Sequence, residues 1–429
     1  MLIYGLSEAN KMKKLSKEER IRRGKEVYKS LGDLTSIGKI IERLKNFYFY
    51  SVVMENHKYR LYIQQCGQFL KSLALTVQGI EYHEIAKECL VSHATIGNWL
   101  RGQKPYLMLL AQSIPSEKPP KGKWLPLRMK IYAKPIDFIL VPERIGNYND
   151  IIFVLQQMNT RVPLKTKEKA LGYIIGMLLS DLSKPKGYAI SNQALLALTR
   201  RYEWNLKIGN SLCIYFKTLC INAKRIKDNT ELRKRDPHGE FRWISEKTPF
   251  IRWLLHVCLA LKKHEVTTFD KVKMGWILDA PMVFRKAFTQ GLCDGDGSAH
   301  NYRRIEISCS PNQKFIVELL KTFKIKSRID GDAVVIINNM SLLKAARIPI
   351  FKYAEGRTIK LNKIVQMIEN PQKSGNGSDI RIRRKIIELK KQGYPAGVIS
   401  EAIFDEFGIG VHPSSINKTF KTFIHPNEI

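Results

Sequence analysis

The chain contains an internal duplication, and this feature constrains its fold most. The segment GYIIGMLLSDLS at 172–183 is similar to AFTQGLCDGDGS at 287–298. Two further pairs of similar segments follow in the same order, at 200–208 and 303–310 and at 216–226 and 320–329. A chance repeat would not keep order and polarity over three blocks. We therefore expect two pseudo-symmetric halves.

Each copy of the first segment predicts a helix with a small residue at every fourth position. These residues are Gly172, Gly176 and Ser180 in the first copy and Ala287, Gly291 and Gly295 in the second. Their spacing places them on one helix face, where two backbones can approach closely. Such strips also occur in ordinary helix pairs, but their presence in both copies favours parallel packing of the two helices against each other.

Alternation of polar and apolar residues predicts strands after these helices. Apolar residues occupy every second position of 202–208, and Ile305, Ile307 and Cys309 alternate in the same way. The opposite, polar face carries Arg201, Asn205, Lys207, Arg304 and Glu306. We expect one face of each sheet in the core and the other in solvent.

The charge of the chain indicates the class of partner. Lys and Arg number 72 against 39 Asp and Glu, a net charge of +33. This excess favours a polyanion, nucleic acid before an anionic membrane, over the alternative of a generally basic proteome. No apolar run approaches the ~20 residues of a membrane span. The seven cysteines include no C-x-x-C pair, so zinc fingers and a disulfide framework are not expected.

An aspartate follows the small-residue strip in each copy, Asp181 in the first and Asp296 in the second. If the helices pack in parallel, these carboxylates meet at the negative end of two helix dipoles, where they repel each other unless a cation is present. Oxygen ligands of this kind suit Mg²⁺, or Mn²⁺. A pair of metals held by carboxylates beside a basic surface suits hydrolysis of phosphodiester bonds. The simpler alternative is that each aspartate caps the turn after its helix.

The two motifs resemble those of the LAGLIDADG homing endonucleases in their single-chain form, over about residues 165–370. The resemblance implies an α+β fold, a duplicated αββαββα saddle whose concave sheets lie on double-stranded DNA. It also implies that Asp181 and Asp296 are the metal ligands and catalytic aspartates. Asp294 lies elsewhere on its helix and is not assigned to metal.

The resemblance further implies basic residues near the metals and DNA-reading residues on the polar sheet face. Candidates for the basic residues are Lys224 and Arg225 in the first half and Lys326 and Arg328 in the second. The polar strand residues would read bases and phosphates, with solvated sheet residues as the alternative. Leu182 departs from the family pattern, which has glycine there. A positive φ at this position would strain leucine, so either the turn takes another geometry or Asp181 is displaced.

Residues 78–105 match a helix-turn-helix frame, with a generic helical hairpin as the alternative. Ser92 is a predicted N-cap, and Leu90 replaces the usual turn glycine. The predicted recognition helix would present His93, Ala94, Thr95, Asn98 and Arg101 to the major groove.

Residues 380–429 predict a second helix-turn-helix-like, DNA-binding unit. Gly408–His412 forms its expected turn, and Pro413 suits the first position of the last helix. That helix would expose Ser414, Ser415, Asn417 and Lys418.

The remaining segments complete the predicted domain organisation. We expect a basic helical region at 1–77, a proline-rich, irregular connector at 106–164 and a linker at 371–379. The two halves of the expected endonuclease domain span about 165–270 and 280–370. The favoured function is a site-specific, metal-dependent DNA endonuclease. A non-catalytic DNA-binding regulator on the same scaffold and an RNA-splicing maturase are the alternatives. We expect a cytoplasmic or nucleoid-associated monomer that is not secreted, lies outside the membrane and takes no small-molecule substrate.

Overall fold

The computed structural model describes residues 15–45, 58–113, 119–129, 138–180, 182–183, 193–196, 202–227, 241–260, 274–369 and 380–424. The chain divides into two compact units, Met1–Glu143 and Arg144–Ile429. Helices and small antiparallel sheets together make an α+β protein. Within the described ranges, every helix is too short or too polar to cross a lipid bilayer.

The first unit is mainly helical. Its first five helices are α1 (Lys17–Lys29), α2 (Ile37–Lys45), α3 (Lys58–Val77), α4 (Tyr82–Cys89) and α5 (His93–Leu100). Ser16 starts α1 by accepting a 3.2 Å hydrogen bond from the Glu19 N–H, which supplies a partner for an otherwise unpaired donor. Phe69 of α3 contacts Trp99 of α5, with ring centroids 5.5 Å apart. The predicted helix-turn-helix is therefore packed on the helices that precede it.

The expectation of irregular structure over 106–164 is wrong for much of the described chain. The segment contains α6 (Tyr106–Ser113), the antiparallel strands β1 (Trp124–Arg128) and β2 (Phe138–Pro142), and α7 (Tyr148–Gln157). The prolines occupy positions that regular structure tolerates. Pro105 directly precedes α6, and Pro126 lies in a two-stranded sheet, where each strand has an open edge.

The second unit contains two copies of one topology. The first comprises α8 (Leu164–Leu179), β3 (Leu182–Ser183), β4 (Leu195–Leu196), α9 (Tyr202–Thr218), β5 (Ala223–Lys227), β6 (Phe241–Ser245) and α10 (Pro249–Trp253). A π-helical turn, Leu254–Cys258, and a 3₁₀ turn, Gly275–Ile277, follow.

The second copy comprises α11 (Met282–Asp296), β7 (Gly297–His300), β8 (Arg304–Ser308), α12 (Gln313–Thr322), β9 (Arg328–Asp330), β10 (Ala333–Ile336), α13 (Asn339–Arg347) and α14 (Glu355–Glu369). The sheet orders are β3-β4-β6-β5 and β7-β8-β10-β9, with every pair antiparallel. The fourth strand thus lies between the second and third in both halves, which is the symmetry that the sequence repeat predicts.

The predicted strand over 202–208 is wrong, because this segment begins the helix α9. Its buried apolar residues continue beyond the predicted strand with helical spacing, at Ile208, Leu212, Tyr215, Phe216 and Leu219. The similarity of 200–208 to 303–310 therefore pairs a helix with strand β8. The third pair of segments does correspond in structure: α9 leads to β5 as α12 leads to β9.

The last part of the second unit is a three-helix unit, which we call the C-terminal helical unit. It comprises α15 (Ile380–Lys391), α16 (Ala396–Phe407) and α17 (Pro413–Ile424). Its own core consists of Ile382, Ile386, Ile399, Ile403, Val411 and Ile416. Gly408 ends α16 with φ 67°, and Pro413 opens α17, as the sequence predicts.

Candidate active site and nucleic-acid interface

The helices α8 and α11 pack in parallel and form the centre of the core. All residues from Ala170 to Ser180 and from Ala287 to Gly295 are buried. Residue numbers rise together along the contact: a Cβ at Gly172 would lie 2.7 Å from the carbonyl oxygen of Phe284, and one at Gly176 would overlap that of Phe288. A Cβ at Gly291 would likewise overlap the carbonyl oxygen of Tyr173. The predicted interface residues thus include three glycines where the backbones leave no room for a side chain.

The remaining small residues lie on the same two buried segments. Ser180 follows α8, and its hydroxyl donates to the carbonyl oxygen of Gly176 at 3.2 Å. The Cβ of Ala287 lies 3.3 Å from the position that a Cβ would take at Gly172. Gly295 is buried in the last turn of α11.

Asp296 is the last residue of α11 and is half-buried. Because the helices are parallel, this end of α11 corresponds to the end of α8, where Leu179 is the last helical residue. Asp181 lies outside the described residues. Among the residues that are described, no cluster of three or more His, Cys, Asp or Glu side chains is arranged to hold a metal ion.

A guanidinium from α14 caps the carboxyl end of α11. Arg357 Nη1 donates to the carbonyl oxygens of Cys293, Asp294 and Gly295 at 2.8, 2.6 and 2.9 Å. These carbonyls are the negative end of the helix dipole, so Arg357 supplies a positive charge beside Asp296. Sequence reasoning identified the need for a cation here but not this residue, which lies more than 60 positions away.

Asp294 is completely buried and accepts four hydrogen bonds. The Tyr173 hydroxyl donates to its Oδ2 at 2.7 Å, and the backbone N–H groups of Lys352, Tyr353 and Ala354 donate at 2.8, 3.0 and 3.2 Å. Burial raises the pKa of this carboxyl, and the four donors oppose that effect. Asp294 therefore joins α8, α11 and the residues that lead into α14.

A lysine and two tyrosines extend this network between the halves. Lys352 Nζ donates to the Tyr215 hydroxyl at 2.6 Å, and the hydroxyls of Tyr215 and Tyr353 are 2.9 Å apart. Burial lowers the pKa of the Lys352 amine to about 8, and the nearby charges of Lys169 and Lys286 act in the same direction. The sequence contains no motif for the whole network, because Tyr173, Tyr215, Asp294 and Lys352–Ala354 come from four separate segments.

Of the two alternatives for Leu182, the structure has the one in which the chain avoids a positive φ. Leu182 lies in strand β3, paired with Leu196. Gly297 holds the corresponding position in the second half and has φ −84° and ψ 153°, an extended conformation open to any residue. Glycine is needed at 297 for space instead: a Cβ there would lie 2.6 Å from the Cys293 carbonyl oxygen and 2.8 Å from a Phe351 ring carbon.

The second-half sheet has a buried and a polar face, as predicted. Ile305 and Ile307 are buried, whereas Arg304 and Glu306 face the other side, half-buried. Arg304 binds Glu306 at 2.9 Å and Asp330 of β9 at 2.9 Å. His300 of β7 lies 3.7 Å from the same Glu306 carboxylate. The two predicted DNA-reading residues are thus partners of each other in this structure.

The predicted basic residues occupy related positions in the two halves. Lys224 and Arg225 lie exposed on β5, the third strand of the first half. Arg328 is exposed on β9, the third strand of the second, and Lys326 is exposed just before it, with its backbone N–H bonded to Ser341 Oγ at 2.9 Å.

The polar residues predicted on the first-half strand lie elsewhere. Lys207 is exposed on α9, with its ammonium 3.5 Å from Glu355. Asn205 belongs to the same helix, and its side chain is outside the described part. Arg201 lies outside the described residues, as does the predicted linker 371–379. None of these three residues occupies a described strand.

The segment of the N-terminal helix-turn-helix prediction contains the two short helices α4 and α5. Ser92 caps α5 by accepting the Thr95 N–H at 3.1 Å, as predicted. His93, Ala94 and Arg101 are exposed, Thr95 and Asn98 are half-buried, and Arg101 donates to Asn98 Oδ1 at 2.7 Å. Leu90 ends α4 at φ 54° with its side chain 80% exposed, so it takes the left-handed conformation usual for glycine.

The C-terminal helical unit exposes the predicted face of α17. Ser414, Ser415, Asn417 and Lys418 are all exposed, while Ile416 is buried in the core of the unit. His412 precedes α17 and caps it: its Nδ1 accepts the Ser414 N–H at 3.1 Å and lies 2.7 Å from the Ser414 hydroxyl.

Comparison with known proteins yields structural similarity only. No protein-family model matches the chain. No curated protein matches it either. Among solved structures, the chain is similar to I-DmoI in complex with DNA and Mn, with 12% identity and a TM-score of 0.32 over 43% of this chain and 98% of that one. It is also similar to mesophilic variants of the homing endonuclease I-DmoI, with 13% identity and a TM-score of 0.30 over 42% of this chain and 89% of that one.

Proposed function

We propose that the chain is a site-specific DNA endonuclease of the LAGLIDADG homing type. The observation that carries the proposal is the parallel packing of α8 and α11, because it brings the carboxyl ends of both motif helices to one end of a common interface. Asp296 closes α11, and Asp181 follows Ser180 directly in the chain after α8. Two carboxylates from the two halves can then act on one DNA duplex.

In this proposal Asp181 and Asp296 hold Mg²⁺ or Mn²⁺. Asp296 ends α11, directly after the Cys293, Asp294 and Gly295 carbonyl oxygens that accept from Arg357. Carboxylate oxygens fit the preference of these hard cations. When bound by these carboxylates, such a cation would activate water and neutralise charge on the phosphate oxygens. Lys224, exposed on the third strand of the first half, and Lys326, exposed just before that of the second, stabilise the negative charge of the reacting phosphate.

The DNA contacts in this proposal are spread over the sheet and the two flanking helical units. The sheet contributes Arg304, Glu306 and Arg328, α9 contributes Lys207, and Arg201 and Asn205 stay candidates. The α5 face contributes His93, Thr95, Asn98 and Arg101, and the α17 face contributes Ser414, Ser415, Asn417 and Lys418. The net charge of +33 supports a polyanionic partner for these residues.

A non-catalytic DNA-binding regulator is the second candidate, and Arg357 favours it. Its guanidinium offsets the negative end of α11 with a charge from the protein itself. The metal is then not needed for the stability of this helix end, and the scaffold could serve DNA binding alone.

Site selection followed by cleavage separates the two candidates. The full chain is incubated with a random duplex library in EDTA, the bound sequences are recovered, and Mg²⁺ or Mn²⁺ is then added. An endonuclease produces new ends at a constant position within the selected sequence. A regulator binds the same sequence and leaves it intact, which would contradict the proposed activity.

A further inference from the structure

The C-terminal helical unit is docked on the second half. Lys360 of α14 contacts Glu401 of α16 at 2.7 Å, and Lys363 contacts Asp405 at 3.4 Å. The Lys363 ammonium also lies 5.0 Å from the ring centroid of Phe404. The carboxylate partners are more than half exposed, so solvent screens both ion pairs and each contributes little to the docking. Other contacts must therefore provide most of the docking energy.

Those contacts lie between the α16–α17 turn and the turn that joins β7 to β8. A Cβ at Gly410 would overlap the carbonyl oxygen of Asn301 and would lie 3.0 Å from the terminal methyl carbon of Met367. The ring of Tyr302 meets that of His412 edge-on, with centroids 4.8 Å apart. Since the two backbones touch here, the position of α17 is set by the β7–β8 turn.

A continuous row of side chains runs from the polar sheet face to α17. His300 of β7 lies 2.9 Å from Ser298 Oγ and stacks on Tyr302, with centroids 5.1 Å apart. Tyr302 contacts His412, which caps α17 through Ser414. The polar face of the second sheet and the first turn of α17 are therefore joined by direct contacts, without an intervening flexible element in this row.

We infer that the polar face of the second-half sheet and the exposed face of α17 form one DNA-reading surface with a fixed spacing between its two parts. The inference rests on DNA as the ligand in the proposed function, but not on cleavage. Its consequence is a target site in which the sequences read by the sheet and by α17 cannot be moved apart.

Spacer insertions in the selected DNA site test this inference. Binding is measured with full-length Asp296→Asn, so that cleavage plays no part. Footprinting first assigns the base pairs protected by α17, as those lost in Asn417→Ala/Lys418→Ala. Duplexes then receive about five or about ten extra base pairs between that footprint and the remainder of the protected site. An insertion of about ten base pairs restores the rotational phase of the two parts of the site but separates them by ~34 Å.

For a fixed spacing, both insertions weaken binding about ten-fold or more, to the level of the Asn417→Ala/Lys418→Ala variant on the uninterrupted site. Tyr302→Ala and Gly410→Ala weaken the docking and reduce the difference between the uninterrupted and ten-base-pair duplexes. Tyr394→Ala, which removes an exposed tyrosine from the same helical unit, leaves that difference unchanged.

Three results would overturn the inference. Recovery of affinity with the ten-base-pair insertion would mean a flexibly tethered α17, and unchanged affinity and footprint in Asn417→Ala/Lys418→Ala would mean that α17 does not read DNA. Failure to select any DNA sequence would remove the ligand on which the inference depends. Binding with fixed spacing but without cleavage by the wild type would contradict only the proposed endonuclease activity.

Discussion

The hydroxyl of Tyr173 donates a 2.7 Å hydrogen bond to Asp294, and this bond joins the two halves of the duplicated domain through their motif helices. Tyr173 lies on α8, where it also packs edge-on against Tyr353. Asp294 lies on α11 and holds the three N–H groups at the start of α14. One buried carboxylate thus ties the helix interface to the element that carries Arg357.

We expect Asp294→Asn to destabilise the protein by about 3 kcal/mol. Asparagine replaces one carboxylate oxygen with an NH₂ group. This group would face the donors that now bind Asp294 and would leave buried N–H groups without an acceptor. Tyr173→Phe removes a single partner and should lower the free energy of unfolding by about 1–2 kcal/mol. Asp332→Asn, at an exposed turn, is the matched control. Urea unfolding measures all three; equal stability of Asp294→Asn and the control would contradict the role of this carboxylate.

The glycines of the helix interface give a second prediction. Gly176→Ala places a methyl group into the Phe288 backbone, so the helices must separate, and we expect a loss of about 2–4 kcal/mol in the free energy of unfolding. Gly397→Ala in α16 is the control, since nothing lies within 4 Å of its Cβ position, and helix propensity should stabilise it by up to about 1 kcal/mol. Thermal unfolding that shows the same shift for both variants would rule out the close approach.

Arg357 gives a prediction about the helix end. Arg357→Met leaves three carbonyl oxygens of α11 without this donor and removes the positive charge, which should cost about 2–3 kcal/mol of stability. Arg357→Lys retains the charge but not the planar guanidinium, and should lie between the wild type and Arg357→Met. Denaturant unfolding checks the order; a methionine variant as stable as the wild type would show that these bonds do not stabilise the fold.

Lys352 predicts a rise in stability with alkaline pH. Its pKa in the folded protein is about 8, below the ordinary value of 10.5, so between these values the unfolded chain binds more protons than the folded one. The free energy of unfolding should therefore rise as the pH increases from about 8 toward 10. Lys352→Met should remove this contribution. Unfolding curves for the two proteins across this range test the point, and parallel pH profiles would contradict it.

The sequence predicts the two-fold architecture of the second unit because both copies of the duplicated segment carry the same spacing of small residues. Gly172, Gly176 and Gly291 are needed wherever two backbones touch, and their spacing is visible without a structure. The helix α9 is harder to predict, because polar and apolar residues alternate up to Ile208 as they would in a strand. Only the continuation to Leu212 and Leu219 distinguishes the helical period from that of a strand.

The candidate site was predicted less completely, for two physical reasons. The hydrogen bonds of Asp294 and Arg357 join residues that are about 60 or more positions apart, and no local pattern records such contacts. A glycine in a motif also does not show whether the backbone conformation or the lack of space for a side chain requires it. The family pattern suggests a positive φ at Gly297, whereas its backbone is extended and the constraint is the space beside Phe351.

In the proposed function, carboxylates at the carboxyl ends of α8 and α11 support metal-dependent cleavage of DNA. The most direct measurement is the cleavage rate on the selected site with Mg²⁺ for the wild type, Asp181→Asn, Asp296→Asn and the control Asp279→Asn, an exposed aspartate ahead of α11. We predict that Asp181→Asn and Asp296→Asn retain DNA binding and lose cleavage by at least about 100-fold, while Asp279→Asn cleaves as the wild type does. Cleavage at the wild-type rate by Asp181→Asn and Asp296→Asn would contradict the claim.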